Sequence, residues 1–345
     1  APGNVPFVLS LRSCLYPLAA GNTCVLKTSE LCPRAHLCMA QALLDAGLPK
    51  GALSVIHVDP KDAPEVTEAM ISHRWVRKVN FTGSTRVGRI IAQTCAKHLK
   101  PCVLELGGKA PVLVLEDADL DVAANNIVFG GFFNANQVCM ATNNILVHSS
   151  VADLLESKIS EILQQRVETF TASSLVEDGE SRVRCLFNDV AAEKAKSLYD
   201  DAISKGAKVV AGKVGFERST VQPLVLGGVD DSMRIFEEET FAPILSLIRF
   251  QHVDQAVEMA NANPAGLAAS IFTSDLALAF SLAKRIDSGQ VHINGQTIHD
   301  DPMMPHGGWK ESGYGRFNGV DGIRQFTQTK GVTVSRGAKI PFEYM

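Results

Sequence analysis

No Cys-x-x-Cys pair, no run of five basic residues, no unbroken apolar stretch long enough to span a bilayer and no internal repeat occur in these 345 residues. Each absence removes a class of function. Without basic runs, and with a formal net charge of −4, the chain lacks the electrostatic footprint of a nucleic-acid binder or of a protein held on an anionic membrane. The longest mainly apolar stretch, Val5 to Leu26, is interrupted by Arg12, Pro17, Gly21 and Asn22, so it fails as a spanning helix. It also lacks a basic leader and a small-residue cleavage site, and a cytoplasmic protein without membrane partners is the expectation. Eight cysteines are present, but the missing Cys-x-x-Cys spacing argues against zinc ribbons and thioredoxin-like redox motifs. His292, His299 and His306 recur every seven residues with no HxxxH or HExxH spacing, so no metal site is expected.

What remains is a chain of two-domain length in which 46% of residues are hydrophobic, enough for a large core. Over the first hundred residues, short β-rich runs at 23–26, 53–58, 76–81 and 102–106 alternate with helical periods at 36–45, 63–71 and 87–97. Strand, helix, strand repeated three times predicts a doubly wound parallel sheet covered on both faces. Beyond Gly107 a second α/β region is predicted, with strands at 112–115, 144–147, 209–211, 221–226, 244–250 and 270–272, and helices between them. The segment 168–188 is polar and without period, and reads as a surface loop. Gly307–Gly319 is too rich in glycine for a helix or strand interior and reads as a loop system beside a site or a junction.

Several residues can carry chemistry, each with a plainer alternative. Phe81-Thr-Gly-Ser-Thr-Arg-Val-Gly88 lies between a predicted strand and a predicted helix. Gly83 and Ser84 could there meet a phosphate at the helix N-terminus, or the segment could be an ordinary turn. Lys27 and Glu30 follow a strand at the end where open α/β sheets bind ligands, and could contact a ribose or simply be solvated. Cys139 could attack a carbonyl and Glu105, in apolar surroundings, would have a raised pKa suited to activating water. Most cysteines, though, are small buried hydrophobes, and most strand-terminal glutamates are structural.

Together the segments resemble the aldehyde dehydrogenase superfamily from Asn4 to about Val334. The resemblance is carried by Asn4 in Pro-Gly-Asn, by Ala20-Gly-Asn-Thr-Cys-Val-Leu-Lys-Thr-Ser-Glu30 and by Asn80-Phe-Thr-Gly-Ser-Thr85. It continues through Leu104-Glu-Leu-Gly-Gly-Lys109, Phe133 to Cys139, Glu238-Glu-Thr-Phe-Ala-Pro243 and Gly307-Gly-Trp-Lys-Glu-Ser-Gly-Tyr-Gly315. Within it, Gly108-Lys-Ala-Pro-Val-Leu-Val-Leu, Cys139-Met and His292-Ile-Asn-Gly-Gln-Thr-Ile-His-Asp look most like salicylaldehyde-type dehydrogenases.

The resemblance implies an α/β two-domain fold: a cofactor domain over 1–107, lacking the family's usual N-terminal portion, and a catalytic domain over 108–315. A C-terminal helix and oligomerisation strand would occupy 316–345. It implies NAD- or NADP-dependent oxidation of an aromatic or bulky apolar aldehyde, with Cys139 as nucleophile, Glu105 activating water and Asn4 holding the oxyanion. Lys27 and Glu30 would take the adenosine ribose, Gly83 and Ser84 the pyrophosphate, and Glu239 and Phe241 the nicotinamide half. Glu30 would repel a 2′-phosphate, favouring NAD. Gly3, Thr28, Ala242 and His306 depart from the family pattern, His306 standing where a phenylalanine is usual. With the shortened cofactor region, these departures leave a second reading open: cofactor-independent Cys139/Glu105 chemistry, hydrolysis or isomerisation, on a conjugated small molecule. The exposed Gln328–Ser335 strand implies a homodimer or larger homo-oligomer.

Overall fold

The computed structural model describes residues 1–167 and 185–337. The chain opens with helix α1 (Pro6–Ala19), then alternates β1 (Cys24–Lys27), α2 (Pro33–Asp45), β2 (Leu53–Ile56), α3 (Ala63–Ser72), β3 (Val79–Thr82), α4 (Thr85–Lys97) and β4 (Cys102–Glu105). Prolines in the first turns of α1, α2 and α3 pre-set the backbone where no N–H partner is needed. Ser84 caps α4 by accepting the Val87 N–H. The predicted alternation is present, but not as one sheet. β1 pairs in parallel with β2, and β3 with β4, while the two pairs belong to separate sheets.

The second region runs β5 (Ala110–Val114), α5 (Leu120–Phe132), β6 (Thr142–His148), α6 (Ala152–Val167), α7 (Asp189–Ser204) and β7 (Lys208–Gly212). A hairpin of β8 (Phe216–Glu217) and β9 (Thr220–Val221) precedes β10 (Leu224–Gly227), α8 (Arg234–Glu237), β11 (Ile244–Phe250) and α9 (Val253–Ala262). Then follow β12 (Ala265–Gly266), β13 (Ala268–Phe272), α10 (Leu276–Ala283), β14 (Gln290–Ile293), β15 (Trp309–Lys310), β16 (Gly313–Tyr314) and α11 (Gly319–Arg324). Seven strands form one sheet in the order β14-β13-β5-β6-β11-β10-β7, parallel except for β7. Both its faces are buried, so successive residues of one strand serve opposite cores. Val112, Val114, Ile145 and Val147 face the side covered by α5 and α6, while Leu113 and Leu146 face that covered by α7, α9 and α10.

Several elements differ from the expectation. The single strand over 221–226 is broken in two, because Gln222–Pro223 separates β9 from β10 and a proline has no N–H for a ladder. Strand β14 and helix α1 were not anticipated, α1 because Arg12 and Pro17 read as interruptions. Gln328–Ser335, expected as an exposed strand, pairs with nothing among the described residues, and Val332 and Val334 are exposed. Most of the loop expected over 168–188, residues 168–184, lies outside the described residues.

Candidate active site

Glu105 ends β4, where its backbone is in register with Thr82 of β3 and Gly313 of β16. The glycine-rich segment thus forms the third strand of the sheet that holds Glu105, which explains its density of small residues: a Cβ on Gly313 would lie 2.1 Å from the Leu104 carbonyl oxygen. The side chain is 1% exposed and four polar side chains donate to it. Arg12 Nη2 donates to Oε2 at 2.5 Å, His306 Nε2 to Oε1 at 3.0 Å, Thr82 Oγ1 to Oε2 at 3.4 Å and Cys139 Sγ to Oε1 at 3.5 Å. Arg12 also donates to Asp300 at 2.8 Å.

The cysteine sits on a strained loop. After α5, Asn134, Ala135 and Asn136 take φ of 51°, 55° and 63°, three consecutive left-handed residues. Asparagine tolerates that region better than most residues, and here both asparagines also work as struts. Asn136 Nδ2 donates to the Gly131 and Thr142 carbonyls, bracing both ends of the loop, and Asn134 Nδ2 donates to the Asn4 carbonyl. Asn4 Nδ2 in turn donates to the Gln137 carbonyl at 2.9 Å, two residues before Cys139.

Gly107 and Gly108 allow the last contact. A Cβ on Gly108 would stand 2.3 Å from the Cys139 carbonyl oxygen, and one on Gly107 2.6 Å from Glu239 Oε2. Gly108→Ala is therefore expected to push the Cys139 peptide out of place and lower turnover by about 100-fold, a penalty of the size that a 1 Å misplacement brings. Steady-state kinetics on the purified variant check this, and unchanged turnover would contradict it.

Electrostatics separate the titrating groups. Burial alone pushes Glu105 up, but Arg12, His306 and the hydrogen bonds from His306 and Cys139 outweigh it and hold the carboxyl at about 2. The expected raised pKa is thus wrong, because the surroundings of Glu105 are cationic and hydrogen-bonding, not apolar. Burial and the Glu105 charge push the Cys139 thiol well above its ordinary value, with Arg12 opposing. Burial raises Glu239 to about 7 against the Gly108 N–H, which donates to it at 3.2 Å, and against Lys194 and Lys109. Lys109, buried beside Asn143 and Thr240, is lowered to about 7.

These shifts give the fold an acid limit. His292, lowered by burial from 6.5 to about 4, binds its proton more readily unfolded, so stability falls as pH drops through that window. Glu105, depressed from 4.5 to about 2, contributes stability that is present above 4.5 and lost as pH falls toward 2. Glu239, raised from 4.5 to about 7, gains stability as pH falls and offsets His292, so urea midpoints are expected to stay nearly level there and to fall below 4.5, where Glu105→Gln should flatten the fall.

Of the sequence candidates, Cys139 and Glu105 touch, and Asn4 braces the Cys139 loop. Gly83 N donates to the Glu105 carbonyl at 3.1 Å, with Ser84 next to it at the start of α4. Glu239 meets Gly108, and Phe241, at φ 50°, stacks on Phe187 with centroids 6.1 Å apart. Lys27 ends β1, its Nζ donating to the Thr28 carbonyl, and Glu30 stands on the exposed turn that follows. Arg12, Asp300 and His306 were missed as site residues. An arginine on an otherwise apolar helix is a legible signal, since it must find a carboxylate if that face is buried. Among the described residues, no group of three His, Cys, Asp or Glu could hold a metal ion.

A thiol facing an ion-paired carboxylate at the carboxyl end of parallel strands is the arrangement of an α/β thiol enzyme. The chain belongs to the aldehyde dehydrogenase family, whose model matches residues 1–332. It is 45% identical over 339 residues to a vanillin dehydrogenase of Pseudomonas fluorescens, covering 98% of this chain and 69% of that protein. A salicylaldehyde dehydrogenase of Pseudomonas putida solved with salicylaldehyde superposes with a TM-score of 0.92 at 40% identity, over 97% of this chain and 68% of that one. An aldehyde dehydrogenase of Mycobacterium tuberculosis solved with NAD+ gives 0.87 at 32% identity, over 98% and 68%. Dehydrogenases as relatives do not favour the cofactor-independent alternative.

Proposed function

We propose that this aldehyde dehydrogenase oxidises an aromatic aldehyde to its carboxylic acid with NAD, through covalent catalysis by Cys139. The observation that carries the reading is the 3.5 Å contact between Cys139 Sγ and Glu105 Oε1 at the end of β4. The names of the relatives support the substrate class.

The residues fit a dinucleotide. Ser84 caps the 13-residue helix α4, whose first-turn N–H groups not taken by the cap suit a pyrophosphate, while the Phe81 ring packs on Gly83, where a Cβ would lie 2.6 Å from it. Lys27 and Glu30 would hold the adenosine ribose, Glu239 and Phe241 the nicotinamide half, and the Glu30 carboxylate supports NAD over NADP. When bound, the nicotinamide would accept the hydrogen and electron pair that leave the aldehyde carbon.

The protein's own residues do the rest. Cys139 Sγ bonds to the aldehyde carbon, its proton passing to the Glu105 carboxylate it faces and from there to water, so that Glu105 is ionised again before hydrolysis. The oxyanion is held by the second Asn4 amide hydrogen and by the Cys139 N–H, which donates to no group among the described residues. After oxidation the thioester on Cys139 is hydrolysed by a water that Glu105 orients and deprotonates. Incubation with NAD and vanillin or salicylaldehyde is expected to produce reduced nicotinamide, and absence of NAD binding by calorimetry would overturn the reading.

The region 1–107 is read as the cofactor side, 108–315 as the catalytic side and 316–345 as the oligomerisation segment. The unpaired, exposed Gln328–Ser335 supports a homodimer or larger assembly. Light scattering is expected to give at least a dimer, and a monomer would contradict it. Eight unpaired cysteines support a reducing, cytoplasmic setting. Among the described residues, no helix is long and apolar enough to cross a membrane.

A further inference from the structure

We propose that His306 is a positioning residue for Glu105: its Nε2–H holds Oε1 of that carboxylate while Arg12 holds Oε2, keeping Glu105 ionised and aimed at Cys139 during thioester hydrolysis. The inference rests on the reading of Cys139 as the acylated residue and Glu105 as the group that handles water.

Geometry fixes the roles. Oε1 is approached by both His306 Nε2, at 3.0 Å, and Cys139 Sγ, at 3.5 Å, so the histidine grips the same oxygen that faces the nucleophile. An ionised carboxylate has no proton to give, so Nε2 carries the hydrogen. The ring cannot drift. Nδ1 meets the Gln290 side-chain amide at 3.2 Å, which donates to it once the amide oxygen and nitrogen are exchanged, and the His306 backbone exchanges hydrogen bonds of 2.9 and 2.7 Å with Phe317. The imidazole is wholly buried. A phenylalanine, usual in the family this chain resembles, would fill the space but supply no donor, so the second arm of this clamp belongs to the histidine.

The charged and titratable groups around the pair are few. Arg12 and Tyr16 approach from α1, Cys139 from its loop, Glu239, whose charge acts on Cys139, from the segment after α8, His292 from β14, and His299 and Asp300 from the segment after it. Asp300 Oδ1 lies 3.8 Å from His306 Nδ1, and its Oδ2 accepts from Arg12. Hydrolysis forms a bond from water oxygen to the thioester carbon and breaks the C–S bond. The sulfur leaves with the electron pair, one water proton reaches it through Glu105, and the carboxylic acid departs. Only an ionised Glu105 can take that proton, and a donor on Oε1 favours the ionised form. Without it the acid limb of the hydrolysis profile moves up in pH.

The test uses the whole chain acylated by an activated aryl ester of benzoic acid, with loss of the acyl mass followed after brief pH jumps from about pH 2 to about pH 8, a span that holds both the value of about 2 at which Glu105 is kept and the value of an unclamped carboxylate. The acid midpoint of His306→Phe is expected at least about one pH unit above that of the unmodified protein, roughly tenfold slower decay on the acid side. His306→Gln, whose amide nitrogen can stand where Nε2 stood, should return the midpoint toward the original. His306→Asn, whose amide falls at the Nδ1 position, should not. If the phenylalanine variant does not fold, the glutamine and asparagine pair decides. Equal midpoints in all variants, or rescue by asparagine as good as by glutamine, would overturn the proposal alone. No adduct on the unmodified protein, or an equal adduct on Cys139→Ala, would overturn the reading of Cys139 and this proposal with it.

Discussion

Cys139→Ala is expected to lower aldehyde oxidation by at least about 10⁴-fold, because the covalent route is lost outright while the surrounding hydrogen bonds survive. The carbonyl that packs on Gly108 belongs to the backbone, and Asn4 and Asn136 brace neighbouring residues, so the loop should keep its shape. NAD affinity by calorimetry should therefore change little while turnover collapses. A variant that retains a tenth of its activity would show that the sulfur is not the nucleophile.

Arg12→Leu is expected to have the largest effect on stability. The guanidinium is 7% exposed and bridges Glu105, at 1%, to Asp300. Removing it leaves a buried carboxylate with fewer partners, and breaking a buried pair from one side costs about 3–5 kcal/mol. His306 and Thr82 still donate to Glu105, which places the expected loss toward the lower end of that range. Glu105→Gln in the Arg12→Leu background removes the stranded charge and should restore part of the loss. Urea unfolding of the single and double variants measures both, and a single-variant loss below about 1 kcal/mol would mean that water reaches the pair.

The parallel strand and helix alternation was legible because each strand is short, β-rich and followed by a turn signal, and β1, β2, β3 and β4 fall within a few residues of their expected places. The division of those strands into two sheets was not legible, since hydrophobic period reports burial and says nothing of which neighbour a strand pairs with. At the site, Glu105, Cys139 and Asn4 came from a family resemblance, and the structure brings the first two into contact. Spacing alone left both in their plainer readings. The state of Glu105 was misread for a physical reason: its neighbours in sequence are apolar, whereas the groups that set its charge, Arg12 and His306, lie 93 and 201 positions away. Local sequence describes the strand a side chain stands on. It does not describe what faces that side chain across the cleft.

Acid-quenched peptide mapping tests the central claim most directly. The protein is mixed with NAD and salicylaldehyde, quenched within the first turnovers and digested, and the acylated peptide is identified by mass. A thioester on the peptide containing Cys139, accumulating to a higher level in Glu105→Gln because hydrolysis is slowed, is the expected result. Acyl groups on another residue, or acid product formed with no adduct on Cys139 in either protein, would contradict it.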